Sequence, residues 1–201
     1  MVVLILMNQQ LRDPVPDEPI AKRRFTVDEF EAMGMAGIFG PDERVELIAG
    51  EVVAMSPAGR FHEVLRGYLT QHWSRAAPNG VLVMAEMQLR LAIDYQPVLD
   101  IGVLPFTILP PDARGQDMLL VVEIADSSWK MDTSIKAAAY AMGGVREYWV
   151  INARTRETLI HRAPQPEGYS DTFEVAAADI STPLLVPELA IRLSELPGMD
   201  A

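Results

Sequence analysis

The chain has 201 residues, of which 49% are hydrophobic and 22% charged, a size and composition that fit one domain with a sizeable core. It contains no cysteine, which excludes a disulfide framework and any thiolate metal site and suits a reducing cytoplasm. The net charge of −11 argues against a surface that binds nucleic acid non-specifically, since contacts to phosphate need lysine and arginine. A local basic patch or a bound divalent cation can override that global sign.

The amino terminus begins with a short apolar run, MVVLILM. The run is too short for a membrane helix and lacks the basic region and cleavage site of a signal peptide. Of an extra β-strand and a mobile arm, we favour the strand. This strand and the proline- and acid-rich segment that follows it make up the predicted N-terminal arm, residues 1–21. Residues 22–201 are predicted to form a single domain. No other segment could span a bilayer, so we expect a soluble, cytoplasmic protein with no membrane partner.

The domain is predicted to begin with a short helix and a hairpin. Thr26 and Glu29 form a capping-box pattern, and Gly37 is a plausible end for the helix that follows them. The pair Ala49-Gly50 separates two short apolar runs, which is typical of a β-hairpin.

Helical and strand patterns then alternate along the chain. The periodicity predicts helices at 61–77 and 131–145, and strands at 81–93, 146–152 and 157–162 and within the stretches 97–106 and 118–130. The remainder is expected to hold short strands, turns and a last short helix. This order favours a mixed α/β (α+β) fold in which a mixed β-sheet is flanked by helices.

Two acids interrupt buried strands. Asp100 lies in the apolar run PVLDIGVLPF and Glu123 in MLLVVEIA. A buried carboxylate costs several kcal/mol unless it is paired or binds a metal. If the two strands are neighbours, the acids form a hard oxygen site that suits Mg²⁺ or Mn²⁺. A structural ion pair would produce the same pattern.

A lysine near such a site would orient the attacking water or stabilise the leaving charge. The chain has three lysines, Lys22, Lys130 and Lys136. Lys136 is the best candidate, because its helix directly follows the Glu123 strand and can fold back over the end of that strand. Lys130 is the weaker candidate, since it is expected in a loop open to solvent.

A phosphate contact, a zinc site and a serine nucleophile find less support in the sequence. His62 lies near a helix start, where it is either a phosphate contact or an ordinary polar residue. The three histidines do not have the spacing of a zinc site. Ser127 and Ser128 lack the G-x-S-x-G setting of a nucleophile.

Six stretches, in order, make the chain resemble the Uma2 family of the PD-(D/E)XK nuclease superfamily. They are RFTVDEF, RVELIAGEVVAMSP, the histidine of GRFHEVL, QPVLDIGVL, LLVVEIADSS and DTSIKAAAYAMGGVREYWVIN. The resemblance covers residues from about Arg24 to Leu196. It implies a restriction-endonuclease-like core and metal-dependent hydrolysis of phosphodiester bonds.

The resemblance also implies roles for particular residues. The acids that match Asp100 and Glu123 hold the metal, and the backbone carbonyl of Ile124 can add a ligand. Glu46 matches an acid that completes the site from an earlier element. Glu51 is a weaker candidate than Glu46, because it opens the outgoing strand of the hairpin.

The chain departs from the superfamily pattern at three places. The lysine that often lies two residues after the glutamate is replaced by Ala125, and Lys136 takes its place from the next helix, followed by Tyr140. Leu99 stands where the motif has proline. Asn152 stands where an aspartate is expected, which would weaken a supporting contact to the site.

Two functions follow from these observations. The first is an endonuclease that uses Mg²⁺ (or Mn²⁺) to cut DNA, with Asp100, Glu123, Lys136 and Glu46 as catalytic residues. It would be a homodimer, since cutting both strands needs two sites. The alternative is a catalytically inactive module that binds protein or nucleic acid. The acidic charge and Asn152 favour the module, whereas the retained acids and lysine favour the enzyme.

Overall fold

A computed structural model describes residues 22–55 and 57–198, so the predicted N-terminal arm lies outside the described residues. The helices are α1 (Val27–Met35), α2 (Arg60–Ala76) and α3, which joins Trp129–Met131, a π-helical turn Asp132–Lys136 and Ala137–Met142. The strands are β1 (Val45–Ile48), β2 (Glu51–Ala54), β3 (Val81–Gln88), β4 (Val98–Pro105), β5 (Leu120–Ala125), β6 (Glu147–Asn152), β7 (Thr158–Gln165), β8 (Gly168–Val175), β9 (Ile180–Ser181) and β10 (Ile191–Arg192). None of the described helices combines the length and apolarity that a membrane span requires.

A six-stranded mixed sheet forms the centre of the fold, with strand order β3-β4-β5-β6-β7-β8. Strands β5 and β6 are parallel, and the other neighbours are antiparallel. A parallel pair needs a crossover connection, which α3 supplies. The predicted mixed sheet flanked by helices is therefore confirmed, and the crossover helix brings residues of α3 towards the end of β5.

Helices α2 and α3 cover opposite faces of this sheet. Leu69 and Trp73 of α2 belong to the same buried apolar cluster as Val122 of β5. Tyr140 of α3 shares the other cluster with Val121. Because side chains alternate along a strand, each helix meets every second residue of β5.

The first helix and the hairpin form as the local sequence predicts. The backbone N–H of Glu29 donates to the Thr26 hydroxyl at 3.3 Å, and the backbone N–H of Thr26 donates to the Glu29 carboxylate at 3.0 Å. The helix ends at Met35, and Gly37 then adopts a φ of 70°. Strands β1 and β2 pair around Ala49-Gly50.

Three predicted elements need correction. The strand expected at 81–93 ends at Gln88, because the chain next forms a tight turn in which Ala92 bridges Tyr95. The tail contains a strand of eight residues, β8, rather than only short ones. The expected last helix is a single 3-10 turn, Leu193–Glu195.

A substitution in α2 tests whether the packing of this helix stabilises the strands that carry the acids. Replacing the fully buried Leu69 by alanine leaves a cavity, which we expect to lower the free energy of unfolding by about 2–5 kcal/mol. The exposed neighbour Gln71 is the control, and its alanine variant should stay within about 0.5 kcal/mol of the wild type. Urea denaturation measures both, and equal effects would contradict this packing.

Candidate functional site

Strands β4 and β5 separate where the two acids stand. Their ladder ends with Ile101 opposite Val122, and the next facing positions are Asp100 and Glu123. There the side chains take over the hydrogen bonds. The Asp100 carboxylate accepts the backbone N–H of Ile124 at 2.7 Å, and the Glu123 carboxylate accepts the backbone N–H of Asp100 at 3.3 Å. The predicted neighbouring strands are confirmed, and the acids hold their own strand ends together.

Strand β4 turns over at Asp100. Leu99 packs in the cluster on the α3 face, whereas Ile101 packs in the cluster on the α2 face, although residues two apart normally share a face. The residue opposite the turn is Glu86 of β3, which has a φ of 52°. This local twist places Asp100 between the two faces and within reach of α2. His62, in the first turn of α2, lies 2.8 Å from Asp100 through its Nε2 atom.

Glu123 receives its partners from α3. Its Oε1 atom accepts a hydrogen bond from the Lys136 ammonium at 3.1 Å and one from the Tyr140 hydroxyl at 2.6 Å. Lys136 and Tyr140 are four residues apart, so they share a helix face. The predicted approach of Lys136 to the acids is confirmed by these contacts. Ala125, where the superfamily often has its lysine, is buried in the cluster that holds Ala137 of α3.

Two more carboxylates complete the surroundings of Lys136. Glu46 of β1 lies 3.4 Å from the ammonium and also accepts the backbone N–H of Val98. Asp132 lies 3.9 Å from the ammonium and accepts a hydrogen bond from the Ser128 hydroxyl. Asp132 is the first residue of the π-helical turn that ends at Lys136, and such turns are frequent at functional sites.

Charge at the site is therefore unbalanced. Three carboxylates, those of Glu46, Glu123 and Asp132, surround the ammonium of Lys136. A fourth, that of Asp100, lies beside Glu123 and pairs with His62. The side chains of Glu46, Glu123 and Asp132 are only 3–4% exposed, so water screens them poorly. His62 adds positive charge only when it is protonated.

The pKa values follow from this crowding. Burial raises the pKa of Glu123 well above its ordinary value, Lys136 opposes that shift, and the neighbouring acids add to it. Burial would raise the pKa of Asp100 as well, but His62, the Ile124 N–H and Lys136 outweigh it and lower that pKa. Burial works against a charged Lys136, yet the surrounding carboxylates raise its pKa above the ordinary value. Lys136 thus stays an ammonium and cannot accept a proton from water.

The oxygen donors of this site fit a hard cation that takes only a few of its ligands from the protein. In the described part of the chain, no group of three or more histidine, cysteine, aspartate or glutamate side chains could hold a metal ion. Mg²⁺ typically takes only one or two carboxylates and completes its shell with water and substrate phosphate. Asp100, Glu123 and Ile124 all line one cleft of about 370 Å³, where a cation would meet oxygen donors and solvent.

The cleft is closed on one side by the start of α2. A Cβ on Gly59 would lie 2.3 Å from a carboxylate oxygen of Asp126, so a larger residue at the start of α2 would displace the Asp126 side chain. Asp126 accepts a hydrogen bond from Arg154 at 2.8 Å. Asp126 and Asp132 are not part of the predicted site. The one signal for Asp126 is its place directly after β5, and the one signal for Asp132 is its place near the start of the following helix.

The remaining predicted residues lie outside this cluster or play another part. Lys130 is exposed as expected, but it lies in the first turn of α3 rather than in a loop. Glu51 is exposed on β2. Asn152 accepts the backbone N–H groups of Arg154 and Thr155 and thereby shapes the turn after β6. An amide oxygen makes these bonds as a carboxylate would.

Removal of the Lys136 charge should destabilise the protein in a pH-dependent way. We expect Lys136→Met to lose about 3–5 kcal/mol of unfolding free energy near neutral pH, because the buried carboxylates lose their ammonium. Glu123 already has a folded pKa above its ordinary 4.5, so its contribution to stability is present below that value and is lost as the pH rises through the folded pKa. Without Lys136 that pKa rises further, and the loss should therefore be greater near about pH 8 than near about pH 5.

Urea denaturation in the presence of a chelator measures this difference. Lys130→Met is the matched control, since it removes an exposed lysine from the same helix. Equal losses in both variants at both pH values would contradict the charge balance described here.

Two comparisons relate the chain to putative nucleases. Residues 27–194 match the Uma2 family, described as "Putative restriction endonuclease". The fold matches the "Crystal structure of a putative nuclease belonging to DUF820 from Anabaena variabilis ATCC 29413" with a TM-score of 0.63 and 16% identity, over 86% of this chain and 97% of that one. No curated protein matches the chain. Its fold is thus that of a restriction-endonuclease-like nuclease, and the chain belongs to the Uma2 family.

Proposed function

We propose that the protein is an endonuclease that hydrolyses phosphodiester bonds in DNA and depends on Mg²⁺ or Mn²⁺. One observation carries the proposal: three carboxylates surround the single ammonium of Lys136, and a fourth, that of Asp100, lies beside them on the wall of an open cleft. A fold that needed only a structural ion pair would balance these charges, because uncompensated buried charge is destabilising. A divalent cation supplies the missing positive charge.

Asp100, Glu123 and the backbone carbonyl of Ile124 would hold the cation. When bound, it would acidify a coordinated water and neutralise charge on the phosphodiester. The hydrogen bonds at Asp100 and Glu123 aim these carboxylates before substrate arrives, which limits the reorganisation needed during reaction. The two acids are thus proposed to be the metal-binding residues.

Lys136 and Glu46 act beside the metal ligands in this proposal. Lys136 keeps its proton, so it assists as a hydrogen-bond donor to the attacking water or to the phosphate rather than as a base. Glu46 lies 3.4 Å from that ammonium and would support the water from the opposite wall. A homodimer would allow two such sites to cut both strands of a duplex.

Cleavage assays test the proposal. We expect the wild type to cut DNA with Mg²⁺ or Mn²⁺ and to stop when a chelator is added. Asp100→Ala should lose at least about a hundredfold in rate, since it removes a metal ligand. The exposed Asp112 offers a control, and Asp112→Ala should retain wild-type activity.

Two outcomes would contradict the proposal. A well-folded wild type that cuts neither single- nor double-stranded DNA would favour the binding module. Cleavage that survives in Asp100→Ala would place the chemistry elsewhere.

His62 should be a positioning residue for Asp100. Groups that hydrogen-bond to metal-ligating side chains typically contribute about 10- to 100-fold to metal affinity or activity, so His62→Ala should lose about that much. The loss should shrink as Mg²⁺ is raised, because the defect is in metal binding. His72 is exposed on the same helix, and His72→Ala should behave as wild type. A His62→Ala defect that no Mg²⁺ concentration reduces would argue against positioning.

A further inference from the structure

A second and larger cavity adjoins the proposed cleavage site. It has a volume of about 680 Å³ and lies between α1 and the strands β1, β3 and β4. Arg44, Met55 and Val98 line both this cavity and the cleft that holds Asp100 and Glu123. A substrate that places a phosphodiester in the cleft can therefore extend directly into this cavity, which we call the side pocket.

The apolar wall of the side pocket suits a flat ring. Phe30 and Phe39 form part of that wall, with ring centroids 5.4 Å apart. Met35 also lines the pocket and is 85% exposed, so it is free to contact a ligand that enters. Unstacked bases of single strands bind to aromatic and apolar side chains of this kind, and methionine adapts its shape to a flat ligand.

The polar groups of the side pocket are mainly acceptors. Gln96 is 6% exposed, and its amide NH₂ donates to Glu31 at 2.8 Å, which fixes the orientation of the amide. Its Oε1 atom is buried without a hydrogen-bond partner among the described residues. An unsatisfied buried acceptor costs about 1–3 kcal/mol, so this oxygen favours a ligand that brings an N–H donor.

Charge excludes a phosphate from the interior of the side pocket. Glu31, Glu43 and Glu86 line it, and among the described lining residues Arg44 is the one cation. Arg44 pairs with Glu86 and also lines the cleft, so it is placed where a phosphate would pass from one cavity to the other. The acids can accept hydrogen bonds from amino groups but repel phosphates.

We propose that the side pocket binds an unstacked nucleobase with an exocyclic amino group from the strand whose phosphodiester lies in the cleft. The amino group of cytosine, adenine or guanine can donate two hydrogen bonds, one to the Gln96 oxygen and one to a neighbouring carboxylate, whereas thymine offers only its single N3–H. The base must leave the helical stack to enter, so single-stranded or locally unpaired DNA is the preferred substrate. This inference rests on the proposed function, because it names the substrate of the same site.

Binding experiments with short labelled single strands test the inference. The full-length wild type in the presence of a chelator, which prevents cleavage, should bind a cytosine homopolymer about three- to tenfold more tightly than a thymine homopolymer. Fluorescence anisotropy measures both affinities. Gln96→Met keeps the size of the side chain but removes the acceptor, and it should bring the two affinities together. Equal affinities in the wild type, or no binding of either strand, would overturn the inference.

A second pair of variants tests the place of binding. Met35→Glu adds charge to the lining of the pocket and should weaken binding of the cytosine strand at least about tenfold, whereas Met142→Glu, at an exposed methionine outside the pocket, should not change it. An unchanged affinity in Met35→Glu would overturn the inference. So would a change in its sedimentation, since that would show that a second copy of the chain covers the pocket.

The two proposals can fail separately. A wild type that prefers the cytosine strand but never cuts DNA would keep the base pocket and refute the nuclease. A wild type that cuts DNA but shows no preference between the strands would keep the nuclease and refute the base pocket.

Discussion

The crowding of three buried carboxylates around the Lys136 ammonium, with Asp100 beside them, is the constraint on which the site depends. Each acid is tied to the fold by a separate bond: Asp100 to the N–H of Ile124, Glu123 to Tyr140, Glu46 to the N–H of Val98 and Asp132 to the Ser128 hydroxyl. These bonds keep like charges together that would otherwise separate. Such a cluster costs stability, because like charges repel one another where water screens them poorly.

The cluster forms at the point where two neighbouring strands of the sheet stop pairing. Strands β4 and β5 form regular hydrogen bonds as far as Ile101 and Val122, and then the side chains of Asp100 and Glu123 replace the ladder. The twist of β4 at Asp100, with Glu86 in a left-handed conformation opposite, turns one acid towards α2 and leaves the other facing α3. Residues from both faces of the sheet can thereby meet at one edge.

Much of the site could be predicted from the sequence, because its strongest signals are local. An acid within an apolar strand, as at Asp100 and Glu123, is easy to recognise in a sequence. Lys136 in the following helix is then an obvious partner. The capping box at Thr26 was equally local and equally reliable. Asp132 gave no such signal, since an acid near the start of a helix is ordinary, and only the π-helical turn brings it beside Lys136.

Other features depend on tertiary structure and left no trace in the pattern. The strand expected to reach Ile93 stops at Gln88, because the chain turns back at Ala92 to pair with Tyr95. The sequence left His62 open as a phosphate contact or an ordinary polar residue, and its contact to Asp100 arises from the way α2 crosses the sheet. The side pocket is built from α1 and from strands distant in sequence, so no local motif marks it.

The central claim is that a divalent cation is the missing partner of the carboxylates. Thermal unfolding of the wild type with increasing Mg²⁺ or Mn²⁺, at constant ionic strength set with NaCl, tests it most directly, because a ligand that binds only the folded state raises the melting temperature. We expect the melting temperature of the wild type to rise with metal concentration and that of Asp100→Ala to stay constant. A wild type whose melting temperature is the same with and without either metal would contradict it.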